Sequence, residues 1–161
     1  MDLKIGVLSD THLTRVNRDF ERVYAEQFSG VDIILHAGDF VSPEIVEFFS
    51  TDNFHGVHGN MDTDEVREML PFKKVLNLDI HRIGLIHGWG APNGLEDRIK
   101  AEFENVNIVV YGHSHHRANH IRDGILFFNP GSAFGPSRFG QNSIGILEVN
   151  DTDVKGTIID I

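Results

Sequence analysis

The chain has 161 residues, of which 40% are hydrophobic, and it contains no cysteine. This length fits one domain over residues 1–161 with a core of its own, and the missing cysteines exclude disulfides, thiolate metal sites and cysteine nucleophiles. Lys and Arg number 14 against 24 Asp and Glu, and the resulting net charge of −10 argues against a dedicated nucleic-acid binder.

The N-terminus, MDLKIGVLSDTH, contains only a short apolar run. It lacks the long apolar region and the cleavage site of a signal peptide. Elsewhere no apolar stretch approaches the roughly 20 residues that are needed to span a bilayer. We therefore expect a cytoplasmic protein without a membrane partner.

In the N-terminal half, short apolar runs alternate with segments whose apolar residues recur at helical spacing. Ser42-Pro43 is typical of a helix start, with Ser42 as the N-cap. Asp62 resembles the N-cap of another short helix, because Glu65 follows it at capping-box spacing. In chain order, the pattern predicts a strand at 4–8, a helix at 18–28, a strand at 31–35, a helix at 43–49, a strand at 53–57 and a helix from about 62 to 70.

The C-terminal half is predicted to be mostly β-structure. Asn93 is the expected N-cap of one further helix, and Asp123-Gly124 is a strong two-residue hairpin turn. In chain order, the pattern predicts strands at 74–80 and 82–86, a helix at 95–103, and strands at 106–111, 118–122, 125–128, 144–149 and 154–159. Alternating strands and helices favour a parallel sheet, and enough strands remain for a second sheet. We predict an α/β fold in which two sheets form a sandwich that is flanked by helices on both sides.

Polar side chains of the types that bind metals follow five of the predicted strands, usually beside a glycine. Because the carboxyl ends of parallel strands open into one crevice, we expect these side chains to converge. Imidazole and carboxylate ligands suit Mn, Fe, Co, Ni or Zn. Each motif alone is common in loops, so the prediction depends on their joint occurrence. The motifs are Asp10-Thr11-His12, Gly38-Asp39, Gly59-Asn60, His87-Gly88 and Gly112-His113-Ser114-His115.

This set of ligands favours chemistry on phosphate. A carboxylate can bridge two cations, and Asp39 is the natural candidate for a bridge. Two aspartates and two divalent cations would leave a local charge of about +2, which attracts a phosphate ester. Two metals roughly 3.5–4 Å apart can activate a water and stabilise both the attacking and the leaving oxygen. The residues thus predict hydrolysis by a metal-bridging hydroxide at a dinuclear centre, without a protein nucleophile.

As a set, these motifs resemble the calcineurin-like metallophosphoesterases, and most closely the small single-domain phosphodiesterases of that superfamily. Asn129-Pro130-Gly131-Ser132 looks like an additional loop of the same subgroup, and the likeness spans residues 3 to about 149. The resemblance implies a four-layer αββα fold and two divalent transition-metal ions, with Mn expected first and Ni, Fe, Co or Zn as alternatives. It implies that the first metal is held by Asp10, His12, Asp39 and His115, and the second by Asp39, Asn60, His87 and His113.

The proton donor for the leaving group is the least determined part of the site. Many larger relatives carry a histidine directly after the asparagine, whereas this chain has Met61, whose thioether cannot transfer a proton. Asp62 could orient a ligand, handle a proton or only cap a helix. Asn60 and His12 are the other candidate catalytic residues. Asn60 and Arg138 are the candidate phosphate contacts, and a guanidinium such as that of Arg138 matches phosphate oxygens bidentately.

Three functions remain open at this point. The first is a metal-dependent phosphodiesterase that acts on a small phosphate ester. The second is a phosphomonoesterase or nucleotide hydrolase of the same superfamily, which would share the metal core. The third is a non-catalytic scaffold like the retromer subunit of this fold, which the complete set of seven ligands disfavours. A homodimer or a larger homo-oligomer is also an open expectation, and Trp89 could either line a pocket or pack.

Overall fold

The computed structural model describes residues 1–135 and 140–161. Within these two ranges the chain forms ten strands and four helices. In chain order they are β1 (Leu3–Leu8), α1 (Arg18–Gln27), β2 (Ile33–His36), α2 (Pro43–Phe48), β3 (Phe54–Gly56), α3 (Asp64–Met69), β4 (Lys73–Leu78), β5 (His81–Ile86), α4 (Leu95–Lys100), β6 (Ile108–Val110), β7 (Ala118–Arg122), β8 (Ile125–Asn129), β9 (Ser143–Val149) and β10 (Val154–Asp160).

The strands form two five-stranded mixed sheets. The first has the order β10-β9-β1-β2-β3, and the second has the order β4-β5-β6-β8-β7. In the first sheet β1, β2 and β3 are parallel, and in the second sheet β5, β6 and β8 are parallel. The carboxyl ends of each parallel triplet therefore share one edge, and the loops that carry the predicted ligands begin there.

Three apolar clusters define four layers. The central cluster joins the two sheets, with Val7 and Leu35 from the first facing Leu85 and Val110 from the second. A second cluster packs α1, α2 and α3 on the outer face of the first sheet, and it contains Phe49 among other aromatic residues. A third cluster packs α4 on the outer face of the second sheet. The predicted α/β sandwich with helices on both sides is thus confirmed.

Two of the three predicted helix caps are wrong. Ser42 does cap α2, but Thr63 rather than Asp62 caps α3, because its hydroxyl accepts from the N–H of Val66. Helix α4 begins after Gly94, which has a φ of 75° and no side chain to form a cap, so Asn93 is not its N-cap. The Asp62 carboxylate instead binds backbone N–H groups of two neighbouring loops.

Helix α4 is also shorter than its sequence pattern suggests, since it ends at Lys100. The chain turns there, and the ring of Phe103 then covers Gly84 of β5 so closely that a Cβ at Gly84 would lie 3.0 Å from it. No helix in the described part of the chain has the length and apolar character required to cross a membrane.

Candidate metal centre

The five ligand loops meet at the edge where the parallel strands end, and their backbones are unusual. Five of the seven predicted ligands have a positive φ: Asp10 (54°), His12 (49°), Asp39 (60°), His113 (69°) and His115 (59°). Few non-glycine residues adopt this left-handed conformation, and such strained residues cluster at functional sites. The loops also touch closely, because a Cβ on Gly59 would collide with Oδ1 of Asp39.

Asp10 lies fully buried at the centre of this edge. Its Oδ2 accepts from the Ser9 hydroxyl at 2.6 Å and from the His113 backbone N–H at 3.3 Å. Its Oδ1 has no hydrogen-bond partner among the described residues and lies 3.2 Å from His115 Nε2 and 3.6 Å from His12 Nε2. One carboxylate oxygen is thus held by the protein, while the other faces a group of imidazoles.

Asp39 repeats this arrangement on the neighbouring strand. Its Oδ1 accepts from the Met61 backbone N–H at 2.9 Å. Its Oδ2 lies 3.2 Å from His87 Nε2 and 3.8 Å from His12 Nε2, so it stands between imidazoles of two different loops. This position between two ligand groups is the one required of a bridging carboxylate.

Backbone carbonyls fix the orientation of two imidazoles. Nδ1 of His87 donates to Ala37 O at 2.7 Å, which turns Nε2 towards the carboxylates. Nε2 of His113 donates to Gly90 O at 2.7 Å, which turns Nδ1 towards Asn60. The amide oxygen of Asn60 lies 3.1 Å from both of these inward-facing nitrogens. A carbonyl that binds one ring nitrogen of a histidine leaves the other available to a metal.

The ligand atoms fall into two overlapping groups. In the first, one atom each from Asp10, His12 and His115 lie within 4.8 Å of one another, and in the second the same holds for Asp10, Asp39 and His87. Asn60 and His113 extend the second group. The expected assignment shared only Asp39 between the two metals, whereas here Asp10 Oδ1 also approaches His87 Nε2, at 3.9 Å.

The charges in the centre perturb its buried titratable groups. Burial favours neutral Asp10, yet the charge of His87 and the contacts with His115 and His12 hold the pKa of its carboxyl below the usual range. Burial likewise opposes protonation of His87, but the charges of Asp10 and Asp39 dominate and raise its pKa to about 9. The carboxylates of Asp10 and Asp39 therefore favour a positive charge at this point.

Asp62, the candidate for handling a proton, is a buried acceptor. Its Oδ2 accepts from the backbone N–H groups of Asp39 at 3.0 Å and Gly59 at 2.7 Å, and its Oδ1 accepts from that of Val41 at 2.7 Å. The side chain thereby fastens the loop after β2 to the loop after β3. These contacts hold the backbone of Asp39 and of the residue before Asn60.

Two arginines that the sequence analysis missed bind the carbonyls of ligand loops. Arg67 of α3 donates to the carbonyls of Gly59 and Asn60, at 3.3 and 3.2 Å, and to that of Asp62 at 3.2 Å. Arg98 of α4 donates to the carbonyls of Trp89, Ala91 and Asn93. All of these carbonyls lie within the nine residues that precede each arginine, but the sequence pattern does not indicate which backbone carbonyls face a long side chain.

The loop after β8 supports the centre from a third side. The Asn129 amide donates to Gly112 O at 3.1 Å and to the Ser114 hydroxyl at 3.2 Å. The Ser132 hydroxyl donates to Asp10 O at 3.1 Å. This is the Asn-Pro-Gly-Ser motif that the resemblance singled out, so a signal for it existed in the sequence. Arg138, the predicted phosphate contact, lies outside the described residues.

His36, beside the centre, is a hydrogen-bonded interior histidine. Its Nδ1 accepts from the Gly38 N–H at 3.1 Å, and Nε2 therefore carries the proton and faces the Thr11 hydroxyl at 3.3 Å. The ring stacks on Phe40 with 3.6 Å between centroids. Burial lowers the pKa of His36 to about 3, so the ring stays neutral.

Comparison with known proteins places the chain in a family. Residues 3–152 match the family model described as the calcineurin-like phosphoesterase superfamily domain. The chain therefore belongs to the calcineurin-like phosphoesterases, as the motifs suggested.

Two relatives come from Methanocaldococcus jannaschii. A probable metallophosphoesterase is 35% identical over 152 residues, which cover 91% of this chain and 76% of the relative. A phosphodiesterase is 28% identical over 173 residues, which cover 98% of this chain and all of the relative (100%).

Solved structures share the fold over nearly the whole chain. A predicted phosphoesterase from Streptococcus pneumoniae superposes with a TM-score of 0.78 at 25% identity, covering 99% of this chain and 90% of its own. Vacuolar Protein Sorting 29 from Cryptosporidium parvum superposes with a TM-score of 0.72 at 20% identity, covering 99% and 98%. The second likeness is one of fold alone.

Proposed function

We propose that the chain is a phosphodiesterase that depends on two divalent transition-metal ions. The observation that carries this proposal is the way in which Asp10 and Asp39 are held. Each carboxylate binds protein donors through one oxygen and presents the other to imidazoles of several loops. Groups arranged in this way are prepared to share a cation between them.

The residues fit such metals by a test that is independent of family likeness. Oδ1 of Asp10 and Nε2 of His12 are buried polar atoms that find no hydrogen-bond partner in the described chain, and a buried acceptor without a partner costs about 1–3 kcal/mol. A cation would satisfy both atoms. Asp10, His12, Asp39 and His115 would hold one ion, and Asp39, Asn60, His87 and His113 would hold the other.

The bound pair would supply positive charge for the phosphate and a water that ionises near neutral pH. The side chains have separate tasks around it. Asn60 presents its amide oxygen to His87 and His113, which leaves its amide nitrogen to donate to a phosphate oxygen in the exposed mouth of the site. Asp62 positions the loops of Asp39 and Asn60, since both of its oxygens bind backbone N–H groups.

The neighbourhood of Asn60 favours substrates with stable leaving groups. Met61 stands where larger relatives have a histidine, and its side chain is 57% exposed at the mouth of the site. It has no proton to give. A diester whose leaving group is stable as an anion needs no such donor, whereas an alkyl ester with a basic leaving group does.

A substrate and metal panel tests the proposal. Purified protein loaded with Mn, Ni, Co, Fe or Zn is assayed on bis-p-nitrophenyl phosphate and on p-nitrophenyl phosphate, with a chelator-treated sample as the control. We expect metal-dependent hydrolysis with higher kcat/KM for the diester. A preference for the monoester would instead assign a phosphomonoesterase.

The alternative of a non-catalytic scaffold is supported by the likeness to Vacuolar Protein Sorting 29 in fold. It makes a different prediction for the same panel. Two metals would bind tightly, yet neither ester would be hydrolysed with any of the five metals. The matched variant Asp39→Asn would then change metal binding without changing any rate.

A further inference from the structure

Three partly exposed apolar side chains lie on the loops that carry Asn60 and His87 or pack against them. Met61 is 57% exposed, Phe72 is 42% exposed and Trp89 is 37% exposed. The rings of Phe72 and Trp89 lie 5.8 Å apart, and the ring of His58 lies 6.0 Å from that of Phe72. We call these four residues, His58, Met61, Phe72 and Trp89, the aromatic wall.

The aromatic wall is tied to the ligand loops by its backbone. The Met61 N–H donates to Asp39 Oδ1 at 2.9 Å, and Met61 directly follows Asn60. Trp89 follows His87-Gly88, and its carbonyl accepts two hydrogen bonds from Arg98 at 2.9 and 3.1 Å. The His58 N–H donates to Pro71 O at 3.0 Å, which fixes the segment that carries Phe72. Trp89 thus stands two residues after His87 on a fixed loop, and the ring contacts join Phe72 and His58 to it.

The size of the aromatic wall suits a small occupant. A stable protein partner covers about 800 Å² on each side, and a single aromatic side chain buries about 150–250 Å². Three partly exposed apolar side chains fall short of a protein interface, but they match one planar ring. Such a ring would stack on Trp89 or Phe72 while a phosphate attached to it reached the metal ligands.

We propose that the aromatic wall is a subsite for a flat aromatic ring carried by one ester group of the substrate. This proposal rests on the proposed phosphodiesterase function and names its substrate class. An aryl group and a nucleobase offer the same flat surface, so the test separates these two sources.

Three diesters with one leaving group provide the kinetic test. Methyl p-nitrophenyl phosphate, phenyl p-nitrophenyl phosphate and thymidine 5′-(p-nitrophenyl phosphate) all release p-nitrophenolate, so they differ only in the other ester group. We expect the phenyl or the thymidine diester to exceed the methyl diester in kcat/KM by at least about fivefold, the lower end of the effect of one stacked base. A higher kcat/KM for the phenyl diester identifies an aryl ligand, and a higher kcat/KM for the thymidine diester identifies a nucleobase. Equal kcat/KM values for all three diesters overturn the subsite.

Substitutions in the aromatic wall assign the preference to its residues. Trp89→Ala should bring the ratio of ring-bearing to methyl diester close to one, and Trp89→Phe should keep most of it. Phe72→Leu is a milder second variant if Trp89→Ala does not fold. Ile121→Ala is the matched control, because Ile121 is 75% exposed on β7 and lies outside the aromatic wall. An unchanged ratio in both Trp89→Ala and Phe72→Leu would contradict the assignment.

Trp89 is the only tryptophan of the chain, which gives a readout that needs no turnover. In protein with Mn²⁺, titration with phenylphosphonate should change the Trp89 emission, whereas methylphosphonate at equal concentration should change it little. A ring-dependent change without hydrolysis of any diester would overturn the phosphodiesterase and keep the subsite. Hydrolysis of all three at equal rates, with no ring-dependent change, would keep the phosphodiesterase and overturn the subsite.

Discussion

The guanidinium of Arg98 donates to the carbonyl oxygen of Trp89 from two nitrogens, at 3.1 Å from Nε and 2.9 Å from Nη2. It also binds the carbonyls of Ala91 and Asn93, on either side of the next turn. Gly90 lies within this segment, and its carbonyl orients the ring of His113. Arg98 thus supports the turn that orients His113, a proposed metal ligand that it does not touch.

Replacing Arg98 with lysine should weaken the binding of the second metal ion, the one assigned to Asp39, Asn60, His87 and His113. The donors of an ammonium share one nitrogen and cannot span the three carbonyls that Arg98 reaches from Nε, Nη1 and Nη2, so the turn that holds Gly90 O loses its support. We expect the affinity for the second ion to fall about 10-fold or more, the usual cost of losing a group that orients a ligand. Calorimetric titration of metal-free protein with Mn²⁺ would measure both sites.

The matched control for this prediction is Arg22→Lys. Arg22 lies on α1, and its partners are the exposed carboxylates of Asp19 and Glu26 of the same helix. The Arg22→Lys variant should bind both Mn²⁺ ions with the affinities of the wild-type protein. Equal affinities of Arg98→Lys and wild type for both ions would show that the loop holds its shape without the guanidinium.

Asn60→Ala should lower kcat/KM on bis-p-nitrophenyl phosphate by roughly 10² or more. The substitution removes the amide oxygen that stands 3.1 Å from His87 and His113, together with the nitrogen that we assign to the phosphate. Asn60 is exposed, so the fold should tolerate alanine. The control is Asn119→Ala, at an exposed asparagine on β7. Near-normal turnover of Asn60→Ala would refute the second metal site as assigned.

Asp62→Asn should destabilise the protein as well as the centre. Three backbone N–H groups point at the two carboxylate oxygens, and an amide offers one oxygen and turns an NH₂ group towards a donor. Leaving a buried donor without its acceptor costs about 1–3 kcal/mol, so the urea midpoint should fall clearly. Glu68→Gln, an exposed carboxylate of α3, is the control.

The same variant separates positioning from proton transfer. If Asp62 only positions the loops, Asp62→Asn should weaken metal binding and leave the shape of the pH–rate profile unchanged at saturating metal. If Asp62 gives a proton to the leaving group, the profile should lose one limb, whereas the urea midpoint should fall in either case.

His36 should make the protein sensitive to acid. Its pKa is about 3 in the folded protein because of burial, against 6.5 for an ordinary histidine. Between these two pH values the unfolded chain binds a proton that the folded chain does not, so the free energy of unfolding falls as the pH falls. The slope from this group is at most about 1.4 kcal/mol per pH unit.

Urea unfolding at a series of pH values from 7 down to 4 measures this slope. His36→Phe keeps a ring against Phe40 and removes the titrating group, so its stability should depend less steeply on pH than that of wild type. Ile121→Ala, at an exposed position on β7 without a titrating group, should keep the wild-type slope. If the free energy of unfolding of His36→Phe fell with pH as steeply as that of wild type, His36 would not be the source of the slope.

Metal binding should release a proton from His87. The charges of Asp10 and Asp39 raise the pKa of this buried ring to about 9, and a ring that binds a metal through Nε2 must lose that proton. Affinity should therefore rise with pH up to about 9. Calorimetry in two buffers of different ionisation enthalpy would count the protons released, and an affinity that is constant from pH 6 to 8 would contradict this account.

The sequence by itself determined the set of candidate ligands and the class of fold. Apolar runs that end in Asp10, Asp39 or His113 could be recognised locally, because strand periodicity and glycine-bordered loops depend on neighbouring residues. The rule that parallel strands end at one edge then brought these loops together. Two sheets also followed from the number of strands left after the helices were assigned.

Only the tertiary structure decided how each ligand is oriented and supported. Which oxygen of Asp39 faces the imidazoles depends on the Met61 N–H, and which nitrogen of His113 faces inwards depends on Gly90 O. The sequence around Asp62 has the pattern of a helix N-cap. The same local pattern is compatible with a carboxylate that joins two loops, which is what the structure shows. The three N–H groups that it binds come together only when β2 and β3 pair, and no short stretch of sequence contains that information.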